Sequence, residues 1–329
     1  MFVLGIETSC DETSCSVVRD RKVLSQVTVS SLKYHKQYGG IIPEIATRNH
    51  LRFIDKVYNL ALKQAGIKSF QIKAVGVTHK PGLIGALLVG INFAKALSLG
   101  LDIPLLGIDH LHAHCFAPFL NTRKRFSFPF IGMVISGGHT ELFLVKDFDD
   151  LRVVGKTRDD ACGECFDKVA RAFGLGYPGG VYIDKIYKEK YKNSFSFTCP
   201  RIGLDFSFSG IKTALVYKKM ELEKKGLLNR KTTVKIISSF QESVVNTLVD
   251  NAFAAASEYK AKKIVFGGGV TANNRLRRLL AEAEKKHKIK VFLPEKEYTG
   301  DNAAMVAGLT FYLYNNKGHK GSLSLKAGG

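Results

Sequence analysis

The stretch Phe2-Val-Leu-Gly-Ile-Glu-Thr-Ser-Cys-Asp-Glu-Thr13 decides how the rest of the chain is read. Phe2 to Glu7 is an apolar run of strand length, and Thr8 to Thr13 is a polar turn. Cys15 to Val18 reads as a second strand, Asp20-Arg-Lys22 as a tight turn, and Val23 to Val29 as a third strand. The chain therefore opens with a meander whose first turn is rich in small and hydroxyl residues. After Gly39-Gly40, Pro43 opens a helix in which Ile45, Phe53, Val57, Leu60 and Ala61 follow the helical period. Ala74 to Thr78 is a strand, Leu83 to Leu99 a helix, and Ile103 to Ile108 a strand.

A similar order begins again at Phe130. Phe130-Ile-Gly-Met-Val-Ile135 is a strand, Ser136-Gly-Gly-His-Thr140 a turn, and Leu142 to Val145 and Leu151 to Val154 are two further strands. Helices around Cys165 to Phe173 and Thr232 to Tyr259, a strand at Ile264 to Phe266 and a helix from Asn273 follow. The repeat lies in element order, not residue identity. Two meander-led α/β halves with a central cleft is the two-lobed plan of the actin, hexokinase and sugar-kinase (ASKHA) superfamily. In that plan both hairpin turns offer backbone amides to phosphates. The expected lobes are 1–106 with 305–329, and 107–304, with the active site between them.

With 329 residues, 45% hydrophobic and 24% charged, the chain has the composition of a soluble globular protein of two sizeable lobes. Its net charge of +20 suits a polyanionic partner, nucleic acid first, or else a lysine-rich solvated surface. Six scattered cysteines do not form a disulfide scaffold and fit a reducing, cytoplasmic compartment. Cys162-x-x-Cys165 lacks a second pair for a zinc site and reads as two small residues on one helix face. The first apolar run is short and contains Glu7, unlike a signal peptide. Pro81 to Ala94 is too short to span a bilayer and reads as a buried helix. Asn121 to Ser127 is a loop carrying Arg123-Lys-Arg125. Between Tyr187 and Cys199, Tyr187, Tyr191, Phe195 and Phe197 alternate with Lys188, Lys190 and Lys192, a pattern of a nucleic-acid surface or of a solvated helix end.

In Gly107-Ile-Asp-His-Leu-His-Ala-His-Cys115, a helix starting near Asp109 places His110 and His114 one turn apart on one face, with His112 on the other. Such a pair can share a zinc or iron ion; the alternative is a polar helix end with unrelated histidines. Leu111 stands where His-Glu-x-x-His metallopeptidases carry their general base. Asp301, in Thr299-Gly-Asp-Asn302, is either the N-cap of the final helix or a third metal ligand. Glycine-rich stretches at Ser136-Gly-Gly-His139, Tyr177-Pro-Gly-Gly180 and Gly267-Gly-Gly-Val-Thr-Ala-Asn273 lie at strand-to-turn or turn-to-helix junctions, natural places for a nucleotide. Asp167 either binds a ribose hydroxyl or pairs with Lys168.

These stretches together resemble one family over nearly the whole chain: TsaD, the tRNA threonylcarbamoyladenosine transferase subunit formerly labelled O-sialoglycoprotein endopeptidase. The residues that carry the resemblance are Leu4 to Thr13, Tyr38 to Glu44, Pro81-Gly-Leu83, Leu204-Asp-Phe-Ser-Phe-Ser-Gly210 and Thr299 to Asn302. Ser136-Gly-Gly-His-Thr140 is similar to the bacterial form. The resemblance implies that His110, His114 and Asp301 hold one divalent ion, Fe2+ or Zn2+. It implies that Val134, Ile135, Ser136, Gly137 and Gly138, with Asp167, Gly180, Asp184 and Asn273, hold an adenylate. The implied reaction moves threonylcarbamoyl from threonylcarbamoyl-AMP to N6 of adenosine 37 in tRNAs reading codons that begin with A, and releases AMP. The implied partners are a catalytically silent relative of the same fold (TsaB-like) and a small ATPase (TsaE-like). Asp11 or Glu12 is the expected acceptor of the amine proton. Lys80 replaces the family's usual glycine before Pro81, and Cys162 and Cys165 stand where small residues are common. The alternatives are an ATP-dependent small-molecule kinase of the same superfamily and a metallopeptidase.

Overall fold

The computed structural model describes residues 1–35, 38–122 and 127–328. They form two compact units, residues 1–126 with 294–329, and 127–293.

The first unit opens with β1 (Phe2–Glu7), β2 (Glu12–Arg19) and β3 (Lys22–Ser30), followed by α1 (Leu32–His35) and α2 (Pro43–Ala65). Then come β4 (Ile72–Lys80), α3 (Ile84–Leu101), β5 (Leu105–Asp109) and α4 (His110–Phe116). The strand order is β3-β2-β1-β4-β5, with the meander antiparallel and β1, β4 and β5 parallel. β1 is apolar on both faces because both are covered. Leu4, Ile6, Val75 and Val77 meet α2 and α3, while Val3, Val18 and Ala74 meet the chain's last helix.

The second unit repeats the plan. β6 (Phe130–Ile135), β7 (Thr140–Asp147) and β8 (Asp150–Lys156) form its meander. Helices α5 (Cys162–Ala172), α6 (Gly179–Ile186), α7 (Ser209–Lys224) and α8 (Arg230–Glu258) follow. β9 (Lys263–Gly267), α9 (Asn274–His287) and β10 (Lys290–Phe292) complete the unit. The order β10-β9-β6-β7-β8 and the pairing senses match the first sheet strand for strand. The expected α/β fold of duplicated, meander-led halves is present. β10, three residues long and only partly buried, has no sequence pattern that separates it from loop.

The final helix, α10 (Ala303–Lys317), lies on the first sheet. It comes close because β1 and β4 carry glycine beneath it. A Cβ at Gly5 would overlap the backbone of Ala303 and Ala307, and one at Gly76 the hydroxyl of Thr310. The N-terminus of α10 is pinned to the meander, where Ala303 N donates to Ser14 Oγ (3.0 Å) and Ala304 N to Gln26 Oε1 (2.9 Å).

Three expectations change. The unit boundaries lie at 126/127 and 293/294, not at 106/107 and 304/305, because β5 pairs with β4 and α4 packs on α10. The helix over the apolar stretch that ends at Lys95 runs on to Leu101, so α3 reaches 18 residues. By length and composition it could cross a membrane; here it packs on β4 and α2, with Gly90 against Thr8. The pair Asp167–Lys168 does not form: Lys168 Nζ instead meets Asp160 (2.6 Å) and Glu164 (2.8 Å). Arg123-Lys-Arg125 lies outside the described residues.

A candidate metal centre and a candidate nucleotide cradle

Asp109 fixes where α4 begins. Its Oδ1 accepts from Leu111 N (2.9 Å) and His112 N (3.2 Å), so the first helical residue is His110. His110 and His114 then fall one turn apart, with ring centroids 4.6 Å apart and planes at 81°. Asp301 does not cap α10. Asn302 does, its Oδ1 accepting from Met305 N (2.9 Å). The Asp301 carboxylate is thereby released: its Oδ1 lies 3.1 Å from His114 Nε2 and 3.4 Å from His110 Nε2. One ligand atom from each of the three residues falls within 4.8 Å of the others. His112 lies outside this cluster.

Glu7, at the end of β1, completes the arrangement and was missed by the sequence reading. Fully buried, it accepts from Ser9 N (2.6 Å) and Thr78 Oγ1 (2.5 Å) and lies 3.0 Å from His110 Nδ1. A carboxylate there selects the His110 tautomer protonated on Nδ1 and turns Nε2 toward Asp301. The signal was present: one acid ends an otherwise apolar strand.

Burial opposes charge on His110, but Asp301 and Glu7 outweigh it and hold its pKa well above the usual imidazole value. For His114 burial dominates and its pKa falls. Asp301 is driven well below the carboxylate range despite burial, by His110 and then His114. Glu7 is also lowered: burial raises it, but His110 wins. His114 Nδ1 is buried with no hydrogen-bond partner. Two imidazoles and one carboxylate, with a second carboxylate on His110 Nδ1, fit a divalent cation with open positions.

Asp11 and Glu12 bound the same turn. Asp11 Oδ2 accepts from Ser30 Oγ (3.1 Å). Glu12 is raised well above the carboxylate range by burial, then by Asp301 and Asp11. His50 braces the turn, sharing a hydrogen bond with Thr13 Oγ1 (2.8 Å) and donating Nε2–H to Cys10 O (3.0 Å).

The residues expected to hold a nucleotide all fall in the second unit. The turn after β6 closes on itself: Ser136 N donates to His139 O (2.8 Å) and His139 N to Ser136 Oγ (3.1 Å). Gly137 and Gly138 are exposed, neither has positive φ, and a Cβ on either would meet nothing. Gly268 differs: its φ is 90° and a Cβ there would strike Ile135.

Asp167 Oδ1 accepts from Gly179 N (2.6 Å), so a carboxylate from α5 serves the α6 N-terminus, where Pro178 offers no cap. Burial raises its pKa, against the Gly179 and Gly180 amides. Asp184 Oδ2 accepts from Asn274 N (3.1 Å) and Nδ2 (2.7 Å), while its Oδ1 accepts from Gln241 Nε2 (3.2 Å). Gln241 Oε1 takes Nδ2–H of Asn273 (3.1 Å), whose own Oδ1 caps α9. Buried Gln241 thus joins Asp184 to Asn273; lying inside a long helix without a motif, it was missed. Beside it, Arg275 grips Glu242 bidentately (2.8 and 2.7 Å) and Tyr187 donates to Glu242 (2.7 Å). Cys162 and Cys165 are buried free thiols raised by burial, two core residues on α5.

Comparison with known proteins points one way. The family described as "TsaD: tRNA N6-adenosine threonylcarbamoyltransferase" matches residues 22–308. A tRNA N6-adenosine threonylcarbamoyltransferase from Thermosipho africanus is 46% identical over 330 residues, covering 99% of this chain and 98% of the relative. Among solved structures, full-length HypF in its phosphate- and nucleotide-bound form aligns with TM-score 0.62 at 15% identity, over 98% of this chain and 47% of HypF. The Clostridium difficile activator of 2-hydroxyisocaproyl-CoA dehydratase with bound ADPNP aligns with TM-score 0.54 at 12% identity, over 97% of both chains. At those identities the two structures speak to fold alone.

Proposed function

We propose how the chemistry is divided in this chain, which belongs to the TsaD family of tRNA N6-adenosine threonylcarbamoyltransferases and is accordingly a tRNA-modifying transferase. The donor is threonylcarbamoyl-AMP, and the acceptor is N6 of adenosine 37 in tRNAs reading codons that begin with A. The N6 nitrogen bonds to the carbamoyl carbon, the bond from that carbon to the phosphate oxygen breaks, AMP leaves, and the amine proton passes to a carboxylate. The observation that carries this reading is the convergence of His110, His114 and Asp301.

His110, His114 and Asp301 would hold one divalent ion, Fe2+ or Zn2+, which would supply Lewis acidity for the acyl transfer. Glu7 orients His110 through Nδ1. Glu12, buried beside Asp11, takes the proton. In the second unit, Val134 and Ile135 lead into the open turn of Ser136, Gly137 and Gly138, where a phosphate can approach backbone without meeting a side chain. Asp167 and Gly180 present the start of α6, and Asp184 and Asn273, joined by Gln241, form a rigid polar edge for the nucleoside. The enzyme works in the cytoplasm with a TsaB-like relative of its fold and a TsaE-like ATPase.

Incubating the chain with both partners, unmodified tRNA and threonylcarbamoyl-AMP tests this. Threonylcarbamoyladenosine at position 37 and stoichiometric AMP are expected. No modified adenosine with demonstrably active partners would refute the reading.

A further inference from the structure

We propose that a groove in the second unit, between residues 194–197 and one face of α7, is a subsite for an unpaired base of the tRNA. The inference rests on the family assignment, which makes RNA the macromolecular substrate. The groove has a volume of about 710 Å3, enough for a nucleotide, with Phe195 and Phe197 on one side and Tyr217, Lys218 and Glu221 on the other.

Its first wall is fixed in advance. Phe195 N donates to Ser239 Oγ (3.0 Å), Ser243 Oγ to Phe197 O (2.7 Å), and Ser239 Oγ to Tyr191 O (3.0 Å), tying this irregular segment to α8. The Phe195 and Phe197 rings are stacked, 6.3 Å apart at 29°. On the facing wall Tyr217 is 67% exposed, so its ring offers a free face.

One cation lies on a ring of the groove and two more lie on Tyr191, just before it in the chain. Lys218 Nζ lies 5.7 Å from the Phe195 centroid, and Lys190 and Lys235 flank Tyr191 at 5.1 and 5.7 Å. The one carboxylate of the lining, Glu221, is held by Lys218 and Lys225 at 2.7 Å each. Residues 185–235 carry thirteen Lys and Arg against four Asp and Glu, a large share of the chain's excess of +20. Interfaces between proteins are depleted in lysine, whereas single-stranded RNA is held by aromatic platforms in a cationic groove. The charge therefore favours RNA over a protein partner. α6 feeds directly into this wall, so the groove belongs to the unit assigned to the nucleotide.

Fluorescence anisotropy with the full chain and a labelled, unmodified tRNA transcript, at two salt concentrations, tests the assignment. Tyr217→Ala should weaken binding about tenfold with the salt slope kept, because a stacked base is lost and no phosphate contact is. Tyr217→Phe should bind within about twofold of wild type, since the ring face remains. Lys190→Ala with Lys235→Ala should flatten the salt slope. Tyr217 is exposed, so the thermal unfolding midpoint of Tyr217→Ala should match wild type and remove misfolding as the cause. Equal tRNA affinity in Tyr217→Ala and wild type overturns the groove while leaving the family reading intact. So does a Tyr217→Ala chain that keeps tRNA but loses a protein partner. A wild-type chain that, with both active partners present, neither binds nor modifies tRNA would instead refute the proposed function on which the groove rests.

Discussion

The turn after β1 and the turn after β6 occupy the same place in two sheets of the same strand order, yet their chemistry is opposite. The first gathers Glu7, Asp11 and Glu12 on buried or half-buried backbone and meets two histidines and Asp301. The second has an exposed glycine pair and no carboxylate of its own. A repeated topology thus supplies two equivalent positions, and in the proposed reading side chains decide which handles protons and a cation and which accepts an anion. Charge follows the division: clustered acids suit a cation, while bare amides suit phosphate.

The largest effect that would break this comparison comes from the acidic side. Asp301→Ala should lower metal affinity at least about a hundredfold and abolish transfer, while the second unit still binds an adenylate; metal content and calorimetry read both. Metal retained with wild-type affinity would remove Asp301 from the site. Glu7→Gln should cost about 10- to 100-fold in metal affinity, because an amide no longer holds Nδ1–H of His110 as a carboxylate does. Unchanged affinity would make Glu7 merely a buried structural acid.

The glycine side sharpens the contrast. Gly137→Ala should weaken adenylate binding about tenfold, leave bound metal unchanged, and alter unfolding free energy by less than about 0.5 kcal/mol, since a Cβ there meets no protein atom. Lost stability with intact nucleotide binding would show a structural glycine.

The smallest effect concerns pH and the second unit. Burial raises the Glu242 pKa, but Arg275 and then Tyr187 outweigh it and the folded value is lowered. Its contribution is therefore complete above the unfolded carboxylate value, near pH 4.5, and is lost as pH falls through the lowered folded value. Glu242→Gln should flatten the acid limb of a stability–pH curve, and a curve parallel to wild type would show that this pair does not titrate with unfolding.

Much of the fold was legible because both sheets are led by short apolar runs broken by polar turns, from Phe2 and from Phe130. The helix carrying His110 and His114 was legible from its spacing alone. The unit boundaries were not, because they depend on β5 pairing with β4 and on α10 returning to the first sheet, contacts between residues distant in sequence. Whether Asp301 or Asn302 caps α10 is likewise beyond sequence, since both residue types cap well. Glu7 and Gln241 escaped notice for a shared reason. Each is a single polar residue in an element read as core, and its meaning appears only when its partners arrive from other elements.

Crystals grown with Zn2+ and measured at the zinc absorption edge test the central claim most directly. The expected result is one anomalous peak bonded to His110, His114 and Asp301 at about 2.0–2.2 Å, with Glu7 still on His110 Nδ1. A peak elsewhere in the chain, or Asp301 still hydrogen-bonded to His114 under saturating metal, would contradict it.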